Sequence, residues 1–122
     1  MVHPAIETLY DQLAQFPLRI GHEKRAQADL EQHLMDSEIP FAREVALNDK
    51  DFPDFVIDTE AGAVVVELKI RAQRKRIFKQ LERYAQHDRV IALILVTATP
   101  MGLPDTIHDK PAMVLSIGQG WL

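Results

Sequence analysis

Pro53-Asp54-Phe55-Val56-Ile57-Asp58-Thr59-Glu60-Ala61-Gly62-Ala63-Val64-Val65-Val66-Glu67-Leu68-Lys69 is the stretch that decides how this chain is read. Apolar β-branched residues crowd both of its arms, and Gly62 between them permits a tight turn, so it predicts a β-hairpin. Side chains two apart on a strand share a face, which sets Val65, Glu67 and Lys69 on one side. With Ala61-Gly62 as a two-residue turn, Glu60 pairs with Ala63 and Asp54 falls opposite Lys69. Any even-numbered loop keeps Asp54 on the Glu67 and Lys69 face, because strand periodicity is two. Two carboxylates and an ammonium then gather at one end of an apolar hairpin.

That trio suits a metal site with a cationic helper. Magnesium takes oxygen ligands, needs only one or two carboxylates, and fills its remaining positions with water and substrate phosphate. Asp54 and Glu67 would supply the oxygens, joined by a backbone carbonyl. The cation would generate a nucleophile at neutral pH and neutralise a scissile phosphate, while Lys69 steadies developing charge. A surface hairpin whose Glu and Lys are merely solvated is the other reading of the same spacing.

The order Pro53-Asp54, glycine-containing turn, then Glu67-Leu68-Lys69 at the end of an apolar strand resembles the PD-(D/E)XK nuclease superfamily. The resemblance covers roughly residues 20–100. It extends to the order of elements, with a helix before the hairpin and a helix and buried strand after it. It implies a restriction-endonuclease-like α/β fold, Asp54, Glu67 and Lys69 as the catalytic set, and Mg2+ or Mn2+ as cofactor. A glutamate on the preceding helix often supports the metal in that family, which points to Glu23, with Glu31 a fainter alternative. The small size is similar to that of members from phages and bacterial mobile elements.

Composition bounds the rest. A chain of 122 residues predicts one domain, and 47% apolar with 26% charged residues is ordinary for a soluble globule. The absence of cysteine excludes a disulfide framework, a thiolate zinc site and a catalytic thiol. The N-terminus has no basic region followed by an apolar run, and the longest apolar run, residues 90–96, is far too short to span a bilayer. A cytoplasmic protein that does not enter a membrane is the expectation. The net charge of −4 argues against a uniformly basic nucleic-acid coat but allows one basic face.

Before the hairpin, Ile6, Leu9, Leu13 and Phe16 recur at helical spacing, with Pro4 at a first-turn position and Pro17 as terminator, so residues 4–15 predict a helix. It would serve as a cap on the core or as a dimer arm. After Gly21, residues 22–37 predict a second helix with Glu23, Ala26, Gln27, Leu30 and Leu34 on one stripe. A carboxylate on an inward stripe needs a partner, although Glu23 also suits the helix dipole at an N-terminus. Residues 41–47 alternate like a strand and lead through Asn48-Asp49-Lys50-Asp51, a turn cluster, into the hairpin. Asp49, Asp51 and Asp58 read mostly as turn or solvent residues.

After the hairpin the charge switches sign. Lys69, Arg71, Arg74, Lys75, Arg76, Lys79 and Arg83 hold half of the 14 Lys and Arg residues, against Glu67 and Glu82. A basic run is often just a solvated helix face. Beside an acidic metal site it suits phosphodiester chemistry, with Arg71, Arg74 and Lys75 as substrate contacts. Residues 74–87 predict a helix whose apolar stripe is Ile77, Leu81, Tyr84 and Ala85, joined by Phe78. Gln80 falls on or beside that stripe. The run Gln80-Leu81-Glu82-Arg83-Tyr84 is similar to the helix after the Glu-x-Lys strand in several branches of the superfamily. That likeness implies Gln80 at the site and Arg83 or Tyr84 on substrate; Tyr84 as a core residue is the plainer reading.

Residues 90–96 read as a strand buried on both faces, parallel to the second hairpin arm through a crossover helix. Residues 97–109 read as loop, residues 113–117 as a short last strand, and Gly118-Gln119-Gly120 as a turn. The five histidines show no ligand spacing.

The expected whole is one α/β domain: an N-terminal helix over 1–17, a core over 20–100 and a C-terminal loop and strand over 101–122. Its sheet would hold four or five strands, an antiparallel meander plus a parallel crossover strand. The expected activity is metal-dependent hydrolysis of nucleic acid, DNA foremost, directed by structure or ends, with a homodimer needed to cut both strands. A catalytically silent nucleic-acid-binding accessory module and a protein-assembly factor are the alternatives.

Overall fold

The structure, a computed structural model, describes residues 2–15 and 23–117. Phe16, Pro17, Gly21 and His22 of the helix assignments, and the turn and Trp121-Leu122 after residue 117, lie outside the described residues. The elements in chain order are α1 (Pro4–Ala14), α2 (Glu23–Asp36), β1 (Ala42–Arg43), β2 (Phe55–Thr59), β3 (Gly62–Lys69), α3 (Arg74–Ala85), β4 (Val90–Thr97), β5 (Thr106–Ile107) and β6 (Lys110–Ser116). The result is a mixed α/β fold, with helices on both faces of a six-stranded sheet ordered β1-β2-β3-β4-β6-β5.

The alternation in β3 builds the two layers. Val64, Val66 and Leu68 face α1 and α2, where they pack with Ile6, Leu9, Leu13, Ala26, Leu30 and Leu34. Val65 faces α3 and packs with Ile77, Leu81, Tyr84 and Ala85. Each fully buried Val, Leu or Ile contributes about 1.5–3 kcal/mol relative to exposure, so this two-sided strand is the centre of the core. α1 is a cap on that core: its apolar stripe is buried, and the Tyr10 hydroxyl donates to the Val114 carbonyl at 2.8 Å. The His3 side chain caps its first turn by accepting from the Ala5 N–H.

β2 and β3 pair antiparallel, β3 and β4 pair parallel with α3 between them, and β6 runs parallel to β4. The meander and the buried crossover strand are therefore as the sequence predicts.

Four details differ. The strand expected over residues 41–47 is only Ala42–Arg43, because Glu44 turns to φ 50° and leaves the extended region. The hairpin turn is Glu60-Ala61, with Thr59 paired to Gly62, so the register slides by two and Asp54 lies opposite Glu67 rather than Lys69. Gly62 is the first strand residue instead of a turn residue; its φ of 132° suits glycine, and a Cβ would stand 2.8 Å from the Ile91 side chain. Residues 97–109 are not all loop: Thr106–Ile107 pairs with the start of β6 across His108-Asp109, making six strands instead of four or five. Both turn residues adopt positive φ, 50° and 63°, the pair that a type I′ hairpin requires.

Candidate active site

The parallel strands β3 and β4 end together at Lys69 and Thr97, and the acidic residues collect at that end. Carboxyl ends of parallel strands are where open α/β sheets place ligands. The even-numbered turn keeps Asp54 beside Glu67, and each carboxylate reaches across to the other strand's backbone. The Asp54 N–H donates to Glu67 Oε1 at 3.0 Å, and the Leu68 N–H donates to Asp54 Oδ2 at 2.9 Å. Lys69 Nζ lies 3.3 Å from Glu67 Oε2. From α2, Glu23 Oε1 accepts the Ile70 N–H at 3.2 Å, which brings a third carboxylate to the strand end.

Glu67 is 1% exposed. Burial raises its pKa, and the neighbouring Asp54 charge adds to the effect, bringing it to about 7. Asp54 is raised too, first by burial and then, against the Leu68 N–H and Lys69, by the charge of Glu23. Lys69 is raised although burial opposes it, because Glu67, Asp54 and Glu23 all favour its ammonium form. The site thus holds more negative charge than its one lysine balances.

That imbalance is the test of fit for a metal. Two desolvated carboxylates that resist ionising together suit a hard cation, which needs no more than two. Both Glu67 oxygens are engaged, whereas Asp54 Oδ1 has no protein hydrogen bond among the described residues. Glu23 acts on Asp54 and Lys69 through its charge. Among the described residues, however, no three His, Asp or Glu side chains form a metal-holding group. Asp54 and Glu67 are therefore the pair that fits, with Glu23 at the cleft wall. Glu31 is occupied elsewhere, 3.5 Å from Arg43.

A cleft of about 340 Å³ opens beside this pair, lined by Glu23, Lys69, Arg71, Arg76, Gln80 and Arg83. Of the expected substrate contacts, Arg71, Gln80 and Arg83 line it. Arg74 and Lys75 do not; they line a second cleft on the other flank of α3. Tyr84 is fully buried and belongs to the core, so it is not placed to touch substrate; its hydroxyl accepts from Gln80 Nε2 at 2.8 Å. Burial and the charges of Glu67 and Asp54 raise the phenol above its ordinary range, keeping it neutral.

Several positioning residues escaped the sequence reading. Arg43 donates from Nε to the Asp54 carbonyl at 3.1 Å, reaches Gln27 Oε1 at 3.3 Å, and stacks 4.5 Å over the Phe55 ring. It ties α2 to the motif strand. Arg76 shares a helix face with Gln80 and Arg83 at i, i+4 and i+7, a spacing that identifies it once Gln80 is placed.

Asp51, read as a turn residue, is only 4% exposed. It receives Arg83 Nε at 3.0 Å and Asn48 Nδ2 at 3.0 Å, and His87 Nε2 lies 3.0 Å away, which requires the proton on that nitrogen. Burial pushes its pKa up, but the bonds from His87, Arg83 and Asn48 outweigh this and leave it below the usual value.

No protein-family model matches the chain, and neither a curated protein nor a solved structure matches it significantly. Among the described residues, no helix is long and apolar enough to cross a membrane.

Proposed function

We propose that the chain is a metal-dependent nuclease on a restriction-endonuclease-like scaffold, hydrolysing phosphodiester bonds of nucleic acid, DNA foremost. One observation carries the reading: a buried, under-neutralised Asp54–Glu67 pair with Lys69 adjoins a cleft walled by Arg71, Arg76 and Arg83. Carboxylates behind Lys69 and guanidinium groups along the neighbouring cleft make the division of labour that phosphodiester hydrolysis needs.

Asp54 and Glu67 would hold Mg2+ or Mn2+, with Glu23 supporting from α2. When bound, the cation supplies a nucleophile at neutral pH and offsets phosphate charge. The chain's own groups do the rest. Lys69 stabilises negative charge developing on phosphorus oxygens, the cleft arginines hold the flanking phosphates, and Gln80, fixed by Tyr84, donates or accepts at the cleft wall. A single compact site of this kind cuts one strand, so two copies would act on a duplex or branched junction.

A second reading has its own observation. The carboxylates each bond the opposite strand's N–H, so they also work as a lock between β2 and β3, as in a nucleic-acid-binding module that does not cut. Labelled linear duplex, single strand, flap and four-way junction, each with magnesium, manganese or EDTA, separate the two. The nuclease reading expects metal-dependent cutting that falls at least ~100-fold in Asp54→Ala and in Lys69→Ala. It also expects magnesium to raise the melting temperature of the wild type but not of Asp54→Ala. Salt-sensitive binding without cutting, and no thermal response to metal, would establish the lock instead.

A further inference from the structure

α3 carries cations on both flanks of its buried stripe, and only one flank faces the acidic site. On the other flank lies a cleft of about 490 Å³ between the helix and the segment after β4, lined by Arg74, Lys75, Phe78, Lys79, Glu82 and Met101. That volume lies within the range of clefts that take small ligands. Its chemistry is divided. Phe78 and Met101, both half-buried against the α3-side core, make an apolar floor, and three cations against one carboxylate make the rim.

An aromatic floor with a cationic rim matches an unpaired nucleotide, whose base stacks while its phosphate is neutralised. Lys75, Arg76 and Lys79 continue the positive charge around the exposed back of the helix, from the groove to the cleft beside Asp54 and Glu67. A helix is about 10–12 Å across with its side chains, a span that a short run of nucleotides crosses.

We propose that this groove is a single-strand subsite: a base unstacked from the substrate rests on Phe78 and Met101, and its flanking phosphates bind Arg74, Lys75 and Lys79. The inference rests on the nucleic-acid reading of the cleft beside Asp54 and Glu67 and deepens it, naming a substrate with an unpaired segment beside the scissile bond. An acidic peptide is the competing occupant. It would use the cations but not the aromatic floor.

The test is fluorescence anisotropy of a short labelled single-stranded oligonucleotide, in EDTA to prevent cutting, with polyglutamate as competitor. Phe78→Ala is expected to weaken binding roughly tenfold while leaving the salt dependence unchanged, as loss of one stacking contact predicts. Lys79→Met, at an exposed position, is expected to reduce the slope of log affinity against log salt by about 0.7. Wild-type affinity in Phe78→Ala, an unaltered slope in Lys79→Met, or polyglutamate competing as well as the oligonucleotide would each overturn the subsite. Cleavage by the same preparations keeps the two readings separate. Cutting with no effect of either variant on binding removes the groove alone, whereas binding with the expected variant effects but no cutting removes the nuclease alone.

Discussion

Asp51 and Glu67 are both closed off from water, at 4% and 1% exposure, but Glu67 lies much deeper among protein atoms, and the two end in opposite electrostatic states. Around Asp51 the chain supplies Arg83, His87 and Asn48, and the carboxyl ends below its ordinary pKa. Around Glu67 it supplies one lysine and a second carboxylate, and the carboxyl rises to about 7. Burying a charge is costly unless it is paired. The first region meets that cost internally and is a fastening for the loop before the motif. The second is left short of positive charge, the kind of perturbation that clusters at functional sites. Arg83 touches both regions, bonded to Asp51 while lining the cleft with Lys69 and Glu23.

The contrast has opposite signs in pH. Glu67 has a folded pKa raised above its ordinary 4.5, so its favourable contribution is complete below that value and lost as pH rises through about 7. Glu67→Gln, which keeps an acceptor for the Asp54 N–H, should therefore match the wild type in acid. Above pH 7 it should exceed it by on the order of 3 kcal/mol in denaturant unfolding. A variant destabilised throughout would break the comparison, since Glu67 would then be as well paired as Asp51.

Asp51 has a lowered folded pKa, so its contribution is present above 3.8 and disappears as pH falls through the lowered value. Asp51→Ala should cost about 2 kcal/mol at neutral pH, because the hydrogen bonds from Arg83, His87 and Asn48 are lost together. The deficit should shrink in acid. Circular dichroism melts across that range measure both.

The smallest effect belongs to the link between α2 and the acidic site. Arg43→Gln removes a guanidinium bonded to the Asp54 carbonyl and should cost about 1 kcal/mol. It should also raise the Asp54 pKa further, since Arg43 lowers it, while Asp51 titrates as before. Carboxyl-carbon NMR titration sharpens the comparison by showing whether the two acids are independent.

Much of this was legible in the chain. Strand periodicity alone put Asp54, Glu67 and Lys69 on one face, and a two-residue slip of register left that intact because slips of two preserve the face. Helical spacing recovered α1, α2 and the buried stripe of α3, whose long amphipathic patterns are strong signals. The β5–β6 hairpin was hidden because its left-handed turn is made by His108-Asp109 instead of residues such as Asn-Gly. Pro111 also masked the start of β6, where it sits before the ladder to β4 begins.

What the sequence determined by itself is local: which residues alternate, which recur every third or fourth position, and therefore which side chains share a face. The tertiary structure decided the rest. It buried Asp51 against a helix more than thirty residues away, split the basic run of α3 between two clefts, and withdrew Tyr84 into the core. Those outcomes depend on which elements pack together and how much water they exclude. Neither quantity is written in the spacing of residues along one strand or helix.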